Sequence, residues 1–227
     1  MATPTARWVV YRWMAALLGA GVALIFPFVA GRYWTDVAVF FGIYVILGLS
    51  LHLIVGEVGL FNMGHAAFFA IGAYTTAIGS TRWGVPLLWL WPASALVAAL
   101  AAYLVTRPII HLRGDYLLIV TIGLNEIVRI ALVNDPGGLT GGANGLLVLD
   151  RLRIGSWTVS TPTDFHWLVW GFVAMLVAAL VRLQDSRIGR AWNYVREDEV
   201  AALAMGVDVR AVKTLAFALG AGIAGAA

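Results

Sequence analysis

Three groups of residues in this chain have types and spacings that could do chemistry. Within TIGLNEIVRI (121–130), Thr121, Asn125 and Arg129 recur every four residues, so a helix carries them as one polar stripe. Glu126 stands three residues before Arg129 and can pair with it on one face. Charges in a membrane span are costly and usually face the bundle interior. The favoured reading is therefore a buried pair that fixes helix packing, ahead of direct contact with a solute. Arg129 is also close enough to the span's end to snorkel. One acid beside one base is poor equipment for relaying protons.

The second group is GLFNMGHAAFFAIGAY (59–74), a glycine-broken stretch running into a short apolar helix. Irregular backbone at membrane depth survives only where protein or a water-filled cavity satisfies it. Broken helices also offer free N–H groups to an anionic substrate. Asn62, Gly64, His65, Gly72 and Tyr74 are the candidate pathway residues. The plainer alternative is an interfacial turn, with Asn62 as helix cap and Gly72 as a packing contact.

The third group is the charged insert 185–213, which holds Asp185, Arg187, Arg190, Arg196, Glu197, Asp198, Glu199, Asp208, Arg210 and Lys213. Glu197 to Met205 reads as a short helix with acids early, as its dipole prefers, and Gly206 as its stop. Asp208 can cap the helix that follows. Ala201, Ala202, Leu203 and Met205 give the short helix an apolar surface to lay into a partner's groove. A solvated surface helix is the alternative.

Enzymatic chemistry finds little support. His52, His65, His111 and His166 are scattered, with no HExxH-type pairing, and no metal site is expected. The absence of cysteine excludes disulfides and thiol catalysis. The only lysine, Lys213, follows Val212, so no phosphate-cradling GxxxxGK[ST] loop exists. The chain is expected to bind no cofactor, and any nucleotide hydrolysis must reside in another polypeptide.

What positions these groups is a set of apolar segments. The chain is 61% hydrophobic and 12% charged, against roughly a quarter charged in globular domains. Its mean hydropathy is +0.88. About 20 apolar residues cross a bilayer core, and seven candidate segments emerge at 13–30, 37–55, 66–79, 87–106, 117–133, 165–183 and 214–227. The expected fold is all-α, a polytopic membrane bundle broken or re-entrant near 56–79. No soluble domain fits beside it: 1–227 reads as a single transmembrane domain. The first segment is too long for a signal-peptide core and reads as an uncleaved span. The last stops inside GAGIAGAA, from which we expect a chain that continues.

With the N-terminus inside, Arg7, Arg12, Arg107, Arg113, Arg182, Arg187, Arg190, Arg196, Arg210 and Lys213 lie inside. Arg32, Arg82, Arg151 and Arg153 lie outside. This asymmetry obeys the positive-inside rule and places 185–213 in the cytoplasm. It also explains the net charge of +3 without a nucleic-acid partner. Trp34, Trp83, Trp89, Trp157 and Trp167 fall near span ends, as an aromatic belt requires. The Gly-rich NDPGGLTGGANG (134–145) opens the longest external loop, a connector or a docking surface for an external partner.

Together, GLFNMGHAAFFAIGAY (59–74), LRGDYLLIVTIGLNEIVR (112–129) with LTGGANGL (139–146), and SRIGRAWNYVREDEVAALAMGVDV (186–209) resemble the permease subunits of ABC importers for branched-chain amino acids. The M-type of the two paralogous permeases is the nearer match. The resemblance implies a coupling role toward the ATPase for Arg196, Glu197, Asp198, Glu199, Ala201, Ala202, Met205 and Gly206. It implies as partners a paralogous permease, two ABC ATPase subunits, an extracytoplasmic binding protein and the lipid bilayer of a bacterial inner membrane. The family commonly has GLLSLGH before its short helix; here Asn62 stands at the serine position. Urea permeases belong to the same family, so the ligand stays open at this point, as does a stand-alone carrier or channel.

Overall fold

A computed structural model describes residues 25–29, 31–112, 114–148, 150–154 and 157–227, with backbone alone at Ile154 and Trp157. Most of the first expected segment, 13–30, lies outside these residues; 25–29 is helical. The remaining six segments are all helices: α1 (Gly31–His52), α2 (His65–Trp83), α3 (Leu87–Ile109), α4 (Asp115–Val133), α5 (Pro162–Gln184) and α8 (Val209–Ala226). Between α5 and α8 lie α6 (Arg187–Glu197) and α7 (Glu199–Ala204). A two-residue hairpin, β1 (Arg153–Ile154) with β2 (Trp157–Thr158), is a small ornament on an all-α bundle.

Local sequence explains where the helices begin and end. Thr161 and Asp164 form a reciprocal capping box at the start of α5, with Pro162 in its first turn. Gly84, at φ 61°, ends α2 by returning its N–H and that of Val85 to the carbonyls of Ser80 and Gly79. Pro86 then opens α3, so α2 and α3 form a tight helical hairpin.

Five helices are long and apolar enough to cross a membrane: α1 with its continuation to Glu57, α3, α4, α5 and α8. This is a multi-pass membrane protein. The helix α2 is less apolar, but its 19 residues reach about 28 Å at the usual helical rise. It packs between α3, α4 and α8. Its first residue meets Ser50 near the end of α1, while Ser80 and Arg82 engage the 134–150 loop at the opposite end. It therefore runs the whole length of the bundle rather than re-entering, and the break is confined to 53–64.

The central element is α8, half of whose length is buried. Small residues make that possible, because they let helix backbones approach closely. A Cβ on Gly220 would press on Ile54 and the Ser50 carbonyl, and one on Gly222 on the Ala95 carbonyl. Gly225 faces Ala98, Ser94 and Gly72 in the same way. One apolar core lies where α6, α7 and α8 meet the end of α1, built on Leu53, Ile54, Trp192, Val195 and Phe217. A second, around Ile46, Val169, Val173 and Leu176, joins α1 to α5.

The bundle has two chemically distinct ends. The insert end carries Arg107, Arg182 and the charges of α6, α7 and early α8. The loop end carries Arg32, Arg82, Arg151 and Arg153, with Trp34, Trp83 and Trp89 exposed near it.

Candidate functional site

The break begins where α1 widens into a π-turn at Leu53–Glu57. Single π-turns recur at functional positions because they displace the side chains that follow. Leu60 then donates its N–H back to the Ile54 carbonyl (3.2 Å), and the chain stays non-helical to Gly64. Gly59 takes φ 75°, with the Arg196 side chain over it. Asn62 does not cap α2; its Oδ1 accepts the Gly64 N–H at 2.9 Å, and Gly64 itself is the N-cap.

Thr121 joins the first two sequence groups. Its Oγ1 accepts the Met63 N–H at 3.1 Å, and a Cβ on Gly64 would lie 2.5 Å from its carbonyl oxygen. His65 bonds through Nε2 to Ser50 Oγ at 2.6 Å. Ser50 Oγ also lies 2.7 Å from the Leu47 carbonyl; where it gives its proton there, His65 Nε2 carries the ring proton and Nδ1 is a bare acceptor. His65 Nδ1 and Asn62 Nδ2 are buried and lack a partner among the described residues. A buried polar atom left unpaired costs about 1–3 kcal/mol, so these two atoms await a third party.

The other candidate pathway residues lie elsewhere. Gly72 is pressed against Gly225 of α8, which makes it a packing contact, and Tyr74 is half-buried two residues further along. A cavity of about 400 Å³ between α1, α2, α3, α5 and the end of α8 is lined by Ile43, Phe69, Trp91 and Phe172 and contains no candidate residue.

Along α4, Asn125 is half-buried and follows Thr121 by one turn. Arg129 donates from Nη2 to Glu126 Oε1 (2.6 Å) and from Nε to Oε2 (2.9 Å), a bidentate pair. The expected pairing is there; the expected burial is not. The side chains are 50% and 62% exposed, because α4 packs chiefly on α2, with a short turn of the 134–145 loop, among the described residues. The pair stands on the outer side of the least covered helix.

In the insert, Asp198 divides the expected helix 197–205. It is extended (φ −155°), and its carboxylate accepts the Val200 and Ala201 N–H groups, so α7 starts at Glu199 and α6 ends before it. Gly206, at φ 82°, ends α7, and Asp208 caps α8 through the Ala211 N–H, both as expected. Ala202 is fully buried and so is not available to a partner; the exposed apolar side chains of α7 are Val200, Leu203 and Met205, with Ala201 beside them and Glu197 also exposed. Arg196 donates to the Gly56 carbonyl and so ties α6 to the break. Glu199 pairs with Lys213, and Trp192 Nε1 donates to the Val212 carbonyl at 3.0 Å.

Sequence reasoning overlooked Ser50, Val200 and the cluster in which Glu57 accepts from Gln184 and lies 3.4 Å from His52.

At the loop end, Asp135 accepts from Thr140 N (2.6 Å), Thr140 Oγ1 (3.0 Å) and Gly141 N (3.1 Å). These bonds, the Thr140 N–H foremost, hold its carboxyl below the usual range. Arg82 donates to the Gly138 carbonyl, and Ser80 Oγ to Asp150 at 2.7 Å. The Gly-rich loop is thus an ordered surface pinned to the end of α2.

Residues 33–227 match the family model for the permease component of branched-chain amino acid transport systems. The high-affinity branched-chain amino acid transport permease protein LivM of Escherichia coli K12 is 37% identical over 93% of this chain and 55% of its own length. LivM of Salmonella typhimurium is also 37% identical, over 90% of this chain and 53% of its own. LivH of Salmonella typhimurium, likewise a permease protein of such a system, is 26% identical over 81% of this chain. The chain spans little more than half the length of the LivM relatives. No solved structure matches it.

Proposed function

The chain belongs to the permease family of branched-chain amino acid transport systems, and from that premise we propose that it is the M-type permease subunit of an ATP-driven importer of leucine, isoleucine and valine. Its partners are a paralogous permease, two ABC ATPase subunits that bind and hydrolyse the ATP, and an extracytoplasmic binding protein, in a bacterial inner membrane. The insert end faces the cytoplasm, on the strength of its basic excess.

The observation that carries a transport role is the break. A spanning helix stops, two buried polar atoms lack a partner among the described residues, and the next helix starts without a side-chain cap, against Thr121. A static scaffold has no use for that arrangement. Drive enters at α7, whose Val200, Leu203 and Met205 suit an apolar groove on the ATPase. The Glu199–Lys213 and Trp192–Val212 links pass it to α8, and Arg196 passes it to the break. ATP shifts the population because the loaded ATPases bind one state of the bundle better than the other.

Uptake by the reconstituted complex tests this reading with labelled leucine, isoleucine, valine and urea. ATP-dependent uptake of the three amino acids is expected. Uptake of urea alone identifies the complex as a urea permease, and uptake by this chain without ATPases identifies a carrier.

A further inference from the structure

The Glu126–Arg129 pair presents a difficulty that its geometry resolves. Both groups lie in a helix of spanning length, with Glu126 about 10 Å from its C-terminal end by helical rise. Both are half or more exposed, and among the described residues nothing covers them. Facing hydrocarbon, such charges are expensive, and they occur instead against protein or in water-filled cavities. Arg129 belongs to the polar stripe that starts at Thr121, where the break docks. Ile122 and Ile130, one turn to either side of Glu126, are also half-exposed on that flank.

We propose that this flank of α4 is a transit site for an amino acid zwitterion, in a water-filled path closed on its far side by the second permease. The inference rests on the import reading above and deepens it. A zwitterion carries one carboxylate and one ammonium a short fixed distance apart. Arg129 offers a planar fork of donors to the first and Glu126 a pair of acceptors to the second, while Ile122 and Ile130 receive the aliphatic side chain. With no ligand the two residues satisfy each other, so the charges are never bare. A zwitterion exchanges one internal pair for two external ones, a small net gain. That suits a site which must be left as readily as it is entered. A ligand with a single charge strands one partner, and an uncharged amide such as urea offers no charge for which to open the pair.

The test uses the complex with full-length chain and cysteine-free partner subunits. Gly123, one turn before Glu126, is exposed with open space around it, so Gly123→Cys places a thiol beside the pair in this cysteine-free chain. Labelling by a membrane-impermeant thiol reagent should proceed and be slowed by leucine. Isovalerate, isoamylamine and urea at equal concentration should not slow it. Adding Glu126→Gln or Arg129→Gln should weaken leucine protection by about tenfold or more, as loss of a charged hydrogen bond does. Leucine uptake is measured in parallel. If leucine is imported but the thiol is unreactive, or its protection survives both neutralisations, the transit site is overturned. If leucine is not imported at all, the functional reading itself is what fails.

Discussion

Lys213, at the start of α8, is almost completely buried, and its ammonium is held by Glu199 in the first turn of α7. The short helix that exposes Val200, Leu203 and Met205 is thus fastened to the central helix by a buried charge. Removing one member of a buried pair is worse than never having had it, because the survivor stays desolvated. Glu199 is itself 44% exposed, which moderates the effect.

Glu199→Ala should therefore destabilise the purified complex by about 1–3 kcal/mol, below the range for a fully buried pair. Adding Lys213→Met should recover most of that loss without restoring ATP-driven uptake. Thermal denaturation and uptake, measured on the same preparations, separate the two effects. Glu197→Ala, on the exposed side, should leave the melting temperature unchanged.

Positions 202 and 203 should behave oppositely despite being adjacent. Ala202 is enclosed in the core, so Ala202→Leu should cost about 1–3 kcal/mol of stability through overpacking. Leu203→Asp should leave stability within about 0.5 kcal/mol, as exposed substitutions do, while abolishing ATPase coupling. Equal stability losses in both variants would remove α7 from the docking surface.

At the break, Gly64→Ala puts a methyl group against the Thr121 carbonyl and should lower stability and uptake together. His65→Ala is different, because Ser50 keeps its bond to the Leu47 carbonyl. We expect the complex to assemble in normal yield and lose most of its uptake. Normal uptake by His65→Ala would make the break a structural turn.

The Asp135 turn should depend on pH in one direction. Its folded pKa lies below the ordinary value of about 3.9, so its contribution is complete above that value and fades as pH falls through the folded pKa. Protection of the Thr140 and Gly141 amides in hydrogen exchange, corrected for intrinsic rates, should be constant from pH 7 to 5. Asp135→Ala should remove it at every pH.

Hydropathy located six described helices because apolar length is a local property. It underestimated α2 at 66–79, since the last turns carry Ser80, Thr81 and Arg82, polar residues that suit a helix end engaged with a loop. The Glu126–Arg129 pairing was legible in a three-residue spacing. Which way the pair faces was not, because that is set by the neighbours α4 lacks. The meeting of Gly64 with Thr121, and of His65 with Ser50, crosses helices and leaves no trace in sequence spacing. Asp198 was read as one acid among several early in a helix, whereas its side chain bonds the backbone and restarts the helix.

Helices locked by interdigitated side chains must change many rotamers before one can slip past another. Where α8 crosses α1, α2 and α3, its Gly220, Gly222 and Gly225 present little but bare backbone to the neighbouring carbonyls and small side chains. Few teeth have to disengage. A push arriving at the insert end of the helix would meet little side-chain interlocking along this junction, so the helix is built to slide or rotate as a rod in a smooth bearing.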